Sequence, residues 1–272
     1  MFVFSNCKDI QGFTIDKNSH LESIGYFAFY NSTITGLHIP DSVTNIDSTA
    51  FAMTSGMGWF TSDSIYGVGI NGELYGYEES LKTLLRWPDE FSYSTVVISS
   101  NSGYDKIGPY SFSGIDVLKY VQVVIYDDTA IEIGDAAFYG CKNLENFESE
   151  HYGKMNITTI GGSVFAYTAI KELNFLDSSF NTINGTFRNC LNLKTLYLPK
   201  TVTQIGEGAF ENCDNLANIF IAATIPPSLS VDAFNIISDV LIIYVPMESV
   251  DAYKSAEGWS AYADYIVGYD FD

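Results

Sequence analysis

One six-residue phrase recurs through this chain at a nearly constant interval. Ile-Gly-x-x-Ala-Phe begins at Ile24 (IGYFAF), Ile133 (IGDAAF) and Ile205 (IGEGAF), with variants at Ile46 (IDSTAF), Ile107 (IGPYSF) and Ile160 (IGGSVF). Degraded copies lie at Ile183 (INGTF) and Leu229 (LSVDAF). The anchors Phe4, Phe29, Phe51, Phe112, Phe138, Phe165, Phe187, Phe210 and Phe234 are spaced by 25, 22, 61, 26, 27, 22, 23 and 24 residues. A unit of about 23 residues is too small to bury its own Leu, Ile and Phe, so the units must stack and share one apolar column.

A second pattern follows each anchor in register: apolar-x-x-apolar-x-apolar, often closed by proline. Examples are Ile34-Thr-Gly-Leu37-His-Ile39-Pro40, Leu193-Lys-Thr-Leu196-Tyr-Leu198-Pro199 and Val240-Leu-Ile-Ile243-Tyr-Val245-Pro246. Alternation with period two is strand chemistry, and a proline, having no N–H to donate, ends the strand. The residue after the motif isoleucine is Gly25, Asp47, Gly108, Gly134, Gly161, Asn184 or Gly206. These types tolerate positive φ, which predicts a left-handed turn at that point. The residue before the anchor is usually small, leaving room for the rings to stack between coils.

Composition excludes several classes. Thirteen Lys+Arg against 33 Asp+Glu leave a formal charge of −20 and no basic cluster, which argues against a nucleic-acid partner. With 47% apolar residues the chain is too rich in core-formers to be disordered. No apolar run approaches the roughly 18 residues of a membrane-spanning helix. The opening MFVFSNC is too short and too poor in basic residues for a secretory leader. Cys7, Cys141, Cys190 and Cys213 each stand three residues after an anchor Phe, a repeat position that reads as small buried side chains rather than a disulfide frame. A Cys190–Cys213 bridge between neighbouring coils is conceivable but not expected. His20, His38 and His151 are scattered, and no CxxC, GxSxG, HExxH or P-loop sequence is present, so neither metal, cofactor nor catalysis is expected. Asn31, Asn156 and Asn184 open Asn-x-Ser/Thr triplets, which arise often by chance.

These residues resemble the BspA-like leucine-rich repeats of bacterial surface proteins, over nearly the whole chain. The tail is similar to the C-terminal cap of that family, with Ile243-Tyr-Val-Pro246, then Ser249-Val-Asp-Ala-Tyr253-Lys and Gly258-Trp259. The resemblance implies an α/β-type leucine-rich-repeat solenoid, a right-handed coil with one parallel sheet of about nine short strands, mostly irregular return arcs and a C-terminal helical cap. It also implies an extracellular or cell-surface location. We expect one solenoid domain over 1–272, with a hairpin-bearing insertion at about 54–95 and a cap at about 246–272. The chain begins inside a repeat, so a longer polypeptide with further upstream sequence is expected.

The 61-residue interval holds roughly 38 residues beyond one repeat. Residues 65–77 (IYGVGINGELYGY) place Asn71-Gly72 between apolar arms, a type I′ hairpin signal, and the insertion is expected to protrude. Gly67, Gly69 and Gly72 spell GxGxxG with Asp89 downstream, but a dinucleotide site needs a βαβ unit, and Asn71-Gly72 serves better as a turn. In the tail, Ser249 is a candidate N-cap for a helix over 250–257, with Gly258 as its stop.

The candidate functional surface is the outward side of the strands. Between the last two apolar strand positions stand Thr14, His38, Gln122, Glu148, Asn174, Tyr197, Phe220 and Tyr244, polar first and aromatic over the last three rungs. Exposed Tyr and Phe clusters mark interaction surfaces, although such rings also shield a sheet or pack beneath a tail. Tyr197, Phe220 and Tyr244 are therefore the predicted ligand-binding residues of a monomeric, non-enzymatic module that recognises a host protein or glycan. The alternative is a structural spacer within a larger surface protein, and a regulatory contact with an upstream region is a third reading.

Overall fold

The structure, a computed structural model, describes residues 3–10, 13–64, 66–68, 73–76, 82–88, 94–99, 104–124, 130–149, 155–234 and 240–271. Its main element is the parallel ladder that the strand pattern predicts. Gly36–Ile39, Trp59–Ser62, Thr95–Ser99, Tyr120–Val124, Asn146–Ser149, Glu172–Asn174, Thr195–Leu198, Asn218–Ile221 and Ile242–Pro246 succeed one another, one per coil. Their pairing keeps equivalent residues level: Leu196 faces Leu173 and Ile219, and Leu37 faces Phe60. Inward residues are buried and outward ones are partly open, as in Asn218–Ile221.

A second, narrower parallel ladder accompanies this sheet. The residue before each motif isoleucine and the isoleucine itself form short strands, such as Ser23–Ile24 with Asn45–Ile46 and Thr182–Ile183 with Gln204–Ile205. Each coil thus has two straight sides joined by turns, with its apolar residues pointing between them.

The anchor rings form the expected column. Phe112 stacks on Phe138 at 4.8 Å, Phe138 on Phe165 at 5.6 Å, Phe165 on Phe187 at 6.1 Å and Phe187 on Phe210 at 5.9 Å, all within 11° of parallel. Phe4, Phe29 and Phe51 make the same stack at the other end. Phe4, Phe29, Phe112, Phe138, Phe165, Phe187 and Phe210 also donate their backbone N–H to the carbonyl of the residue before the next anchor, as Phe187 does to Ala209 at 3.1 Å. Full burial of one such ring contributes on the order of 1.5–3 kcal/mol.

The glycine reading is corrected. Gly25, Gly108, Gly134, Gly161 and Gly206 do not have positive φ. Left-handed residues instead flank the anchor two places before it (Phe27, Tyr110, Ala136, Ser163, Gly185, Gly208) and two places after it (Asn6, Asn31, Met53, Gly114, Gly140, Tyr167, Asn189, Asn212). The motif glycine is required by crowding. A Cβ on Gly134 would lie 2.7 Å from the Pro109 nitrogen, and one on Gly161 would lie 2.5 Å from the Asp135 nitrogen. The preceding coil's backbone occupies the space a side chain would need.

The long interval conceals a further coil. Thr83–Arg86 continues the second ladder, pairing Leu84 with Ile107. Leu84-Leu-Arg-Trp87 is therefore a motif copy two residues short, in which Trp87 holds the anchor position. Trp87 stacks on Phe112 at 5.3 Å and donates its N–H to Ser111, as an anchor should. Antiparallel strands Tyr66–Val68 and Leu74–Gly76 precede it and extend this same ladder. They do not protrude: Tyr66 and Leu74 are buried, and the Tyr66 hydroxyl accepts the Ile46 N–H at 2.6 Å. Asn71-Gly72, Gly69 and Asp89 lie outside the described residues, as does His151. Gly67 and Val68 sit on an antiparallel strand, so the GxGxxG spelling has no βαβ unit around it.

Arg86 fills the gap that the two missing residues leave. Its guanidinium is buried and reaches the carbonyls of Tyr110 (3.2 Å), Ser111 (3.3 Å) and Ser113 (3.1 Å) in the next coil, and Thr54 (2.7 Å) in the preceding one. The apolar interior divides here: Leu85 packs with the residues from Ile24 to Leu74, while Leu84 and Trp87 belong to the larger cluster running to Ile266.

At the C-terminus a short helix, Val250–Ser255, closes the stack, ending before Glu257. Ser249 does not cap it. Its hydroxyl donates instead to the Thr224 carbonyl at 2.9 Å, fixing the tail to the last coils. Tyr253 and Trp259 are fully buried and donate to the carbonyls of Ala223 (2.8 Å) and Pro227 (2.6 Å). The chain then adds a strand that its pattern did not announce, Ile266–Tyr269, parallel to Ile242–Pro246.

Candidate functional site

The outward column of the main ladder falls into three paired runs and is richer than its sequence outline. Pairing levels His38 with Thr61, Val97 with Gln122 and Glu148, and Asn174 with Tyr197, Phe220, Tyr244 and Val267. Thr61, Val97 and Val267 are rungs that sequence reasoning missed or left out. Thr14, in contrast, is not in a strand. His38 is tied into its neighbour coil: its Nδ1 is 2.9 Å from the Thr61 hydroxyl and its Nε2 is 3.3 Å from Asp63.

The three predicted residues are brought together. Tyr197 stacks on Phe220 with centroids 4.4 Å apart and planes 12° from parallel, and Phe220 on Tyr244 at 4.3 Å and 6°. Parallel in-register strands force this arrangement, because equivalent side chains repeat at the strand spacing of about 4.8 Å. Both faces of Phe220 are covered by its neighbours, so that ring presents its edge, which carries the positive end of the ring quadrupole. Tyr269 from the tail strand meets Phe220 and Tyr244 edge-on at 4.9 and 5.7 Å, and Phe271 meets Tyr269 at 4.9 Å. The tail thus borders the stack, and all three of its rings are half-buried.

Two depressions flank these rings. A cleft of about 460 Å³ lies over Glu148, Met155, Glu172, Asn174 and Asp177, and a groove of about 780 Å³ is lined by residues including Leu176, Lys200, Met247, Tyr269 and Phe271. Burial, then the Glu172 carboxylate and the Tyr269 and Tyr244 rings, holds the Tyr197 hydroxyl above the ordinary tyrosine range. Tyr197 therefore stays a neutral donor beside an acidic cleft. This is a surface of ring edges, hydroxyls and carboxylates. Among the described residues no group of three or more His, Cys, Asp or Glu is arranged to hold a metal ion.

The cysteine position is structural. Cys141, Cys190 and Cys213 are free and buried, and each thiol donates to the carbonyl of the anchor in the preceding coil, Phe112, Phe165 and Phe187, at 3.0 Å. Ser32, Thr54 and Thr168 take the same position elsewhere and donate to their own coil's anchor.

Comparison with known proteins agrees with this architecture. No curated protein matches the sequence. Among solved structures, a leucine rich cell surface protein from Faecalibacterium prausnitzii is 29% identical with a TM-score of 0.64, covering 74% of this chain and 51% of its own. This chain thus spans about half the length of that protein. A leucine-rich repeat protein from Eubacterium ventriosum (23% identity, TM-score 0.62, 87% of this chain and 68% of its own) shares the fold. So does the pneumococcal vaccine antigen PcpA (20% identity, TM-score 0.70, 93% and 60%). No helix among the described residues is long and apolar enough to cross a membrane. The profile of the BspA type leucine rich repeat region matches in six copies, over residues 1–65 and 105–240, and the chain belongs to that family.

Proposed function

We propose that this chain is a non-enzymatic binding module, displayed at the cell surface or secreted, which recognises a host protein or glycan through Tyr197, Phe220 and Tyr244. The observation that carries the reading is the stack itself: three half-buried aromatic rungs on the outward side of a sheet whose other rungs are mostly polar. Rigid aromatic side chains lose little conformational entropy on contact, which makes them effective anchors. The cell-surface description of the Faecalibacterium protein supports the location.

The spacer reading has one observation in its favour, the edge-on cover that Tyr269 already gives Phe220 and Tyr244. A triple variant, Tyr197→Ser, Phe220→Ser and Tyr244→Ser, separates the two. Probed on matrix-protein and glycan arrays, the folded variant loses at least about tenfold in affinity if the stack is the anchor. Unchanged binding by a variant that keeps its melting transition rejects the proposed site.

A further inference from the structure

Trp59 opens the strand Trp59–Ser62 on the outward side of the main ladder, at the other end from the Tyr197, Phe220 and Tyr244 stack. It is 47% exposed, whereas Trp87 and Trp259, the other two tryptophans, are buried. Its cross-strand partner is Gly36. A Cβ on Gly36 would sit 2.1 Å from the indole Cε2 and 2.5 Å from both Cδ2 and Cζ2. Equal, longer distances to two atoms bonded to Cε2 put that point above the ring plane rather than at its rim. One indole face therefore rests on the Gly36 backbone, which is buried although its position points outward. Corresponding positions of the other coils carry side chains, from Thr95 and Tyr120 to Asn218 and Ile242. Glycine inside a strand weakens it and marks a close approach to the backbone, here by the indole.

Polar groups begin at the next outward rung. The His38 Nδ1 is 2.9 Å from the Thr61 hydroxyl, and its Nε2 is 3.3 Å from the Asp63 carboxylate. When the Nε2–H donates to Asp63, Nδ1 accepts the Thr61 proton, which leaves lone pairs on both exposed oxygens for an incoming donor. Outward residues of one strand are roughly 6.6 Å apart, so Trp59, Thr61 and Asp63 form a row about 13 Å long. A flat apolar plate followed by hydrogen-bond acceptors matches a sugar, whose ring face is C–H and whose rim is hydroxyl. Polarised C–H bonds favour the negative face of an indole.

Charge narrows the occupant. A net charge of −20 and the nearby Asp63 carboxylate disfavour sulfated or sialylated sugars. Cations also favour indole faces. Among the described residues, however, no second ring pairs with Trp59 to close a cage, and Asp63 already faces His38.

We propose that Trp59, His38, Thr61 and Asp63 form a binding site for a neutral β-linked disaccharide. One pyranose stacks on the indole and the next donates hydroxyls to Thr61 and Asp63. Equatorial linkage leaves the ring faces to C–H bonds and sets the two rings in line along the row. This site is separate from the Tyr197, Phe220 and Tyr244 surface and does not depend on it.

Trp59 is the one exposed tryptophan, so acrylamide quenching of intrinsic fluorescence reports on it. Cellobiose or lactose lowers the quenching constant about twofold at concentrations several times a dissociation constant on the order of 1 mM. Maltose, which is α-linked, and tetramethylammonium chloride leave it unchanged. Saturation-transfer NMR shows transfer to the C–H protons of the bound sugar. Trp59→Ala abolishes the transfer, and Asp63→Asn weakens binding about threefold. The Tyr197, Phe220 and Tyr244 triple variant keeps it. If Trp59→Ala lowers the melting transition, Asp63→Asn, which leaves Gly36 covered, carries the test. The assignment is overturned by no protection from either β-linked sugar, by equal protection from maltose, or by unchanged binding in the Trp59 and Asp63 variants. Protection by tetramethylammonium also overturns it, in favour of a cationic partner.

Discussion

Trp87 lies face to face with Phe112, ring centroids 5.3 Å apart and planes 26° from parallel, in the station that phenylalanine holds in the neighbouring coils. The indole carries the anchor column into a coil whose motif is two residues short.

Trp87→Ala should therefore behave as an anchor deletion in the core. The cavity lowers stability by about 3–5 kcal/mol, whereas Trp87→Phe restores the usual ring and costs less than about 1.5 kcal/mol. Urea unfolding of the two variants measures this, and equal midpoints would remove Trp87 from the column.

Arg86→Met keeps the volume of the side chain but strips donors from the carbonyls of Thr54, Tyr110, Ser111 and Ser113. A loss of about 2–4 kcal/mol is expected, with faster amide exchange in the adjoining coils. A loss below about 1 kcal/mol would show that water serves those carbonyls equally well.

Two glycines should respond oppositely to substitution. Gly134→Ala drives a Cβ into the backbone at Pro109 and costs about 1–3 kcal/mol. Gly140→Asn has open space and a φ of 71°, at the position where other coils hold Asn31, Asn189 and Asn212, so its cost stays near zero. Thermal melts that rank the pair the other way contradict the close-approach account.

Burial pushes the Cys141 thiol up to about 12 and the Cys190 thiol up to about 11, and it raises Cys213 in the same direction. The folded state thus holds these protons more tightly than the unfolded chain does. That stability is complete below the ordinary thiol range near 9 and falls as pH rises toward 11–12. Denaturant midpoints recorded from pH 8 upward should decline, and replacing the three cysteines with alanine should flatten that part of the curve. Iodoacetamide at pH 8 should leave the three buried thiols unlabelled until the protein unfolds.

The repeat was readable because stacking imposes one residue type per position: a ring at Phe138, a small residue at Ala137, a thiol or hydroxyl three residues on. The shortened coil was not. Losing two residues and exchanging Phe for Trp removes every letter of the motif at Leu84-Leu-Arg-Trp87, although the apolar–polar–aromatic order survives. The glycines were seen but misread, because Gly134 and Gly140 look alike in sequence while one answers crowding and the other a left-handed φ. Similarly, Tyr197, Phe220 and Tyr244 could be aligned by counting, since in-register pairing carries residue order directly into space. Tyr269 could not, because its place on the sheet depends on a strand whose short segment IVGY repeats no earlier pattern.

A solenoid with an interior divided beside Arg86 has more than one thermal transition available to it. The smaller apolar cluster, from Ile24 to Leu85, has fewer coils to lean against than the cluster from Leu84 to Ile266. Calorimetry should resolve an early endotherm from the N-terminal coils and a later one from the remainder, so no single melting temperature describes the molecule. One sharp peak, with equal calorimetric and van't Hoff enthalpies, would mean that the guanidinium welds the two parts into a single cooperative unit.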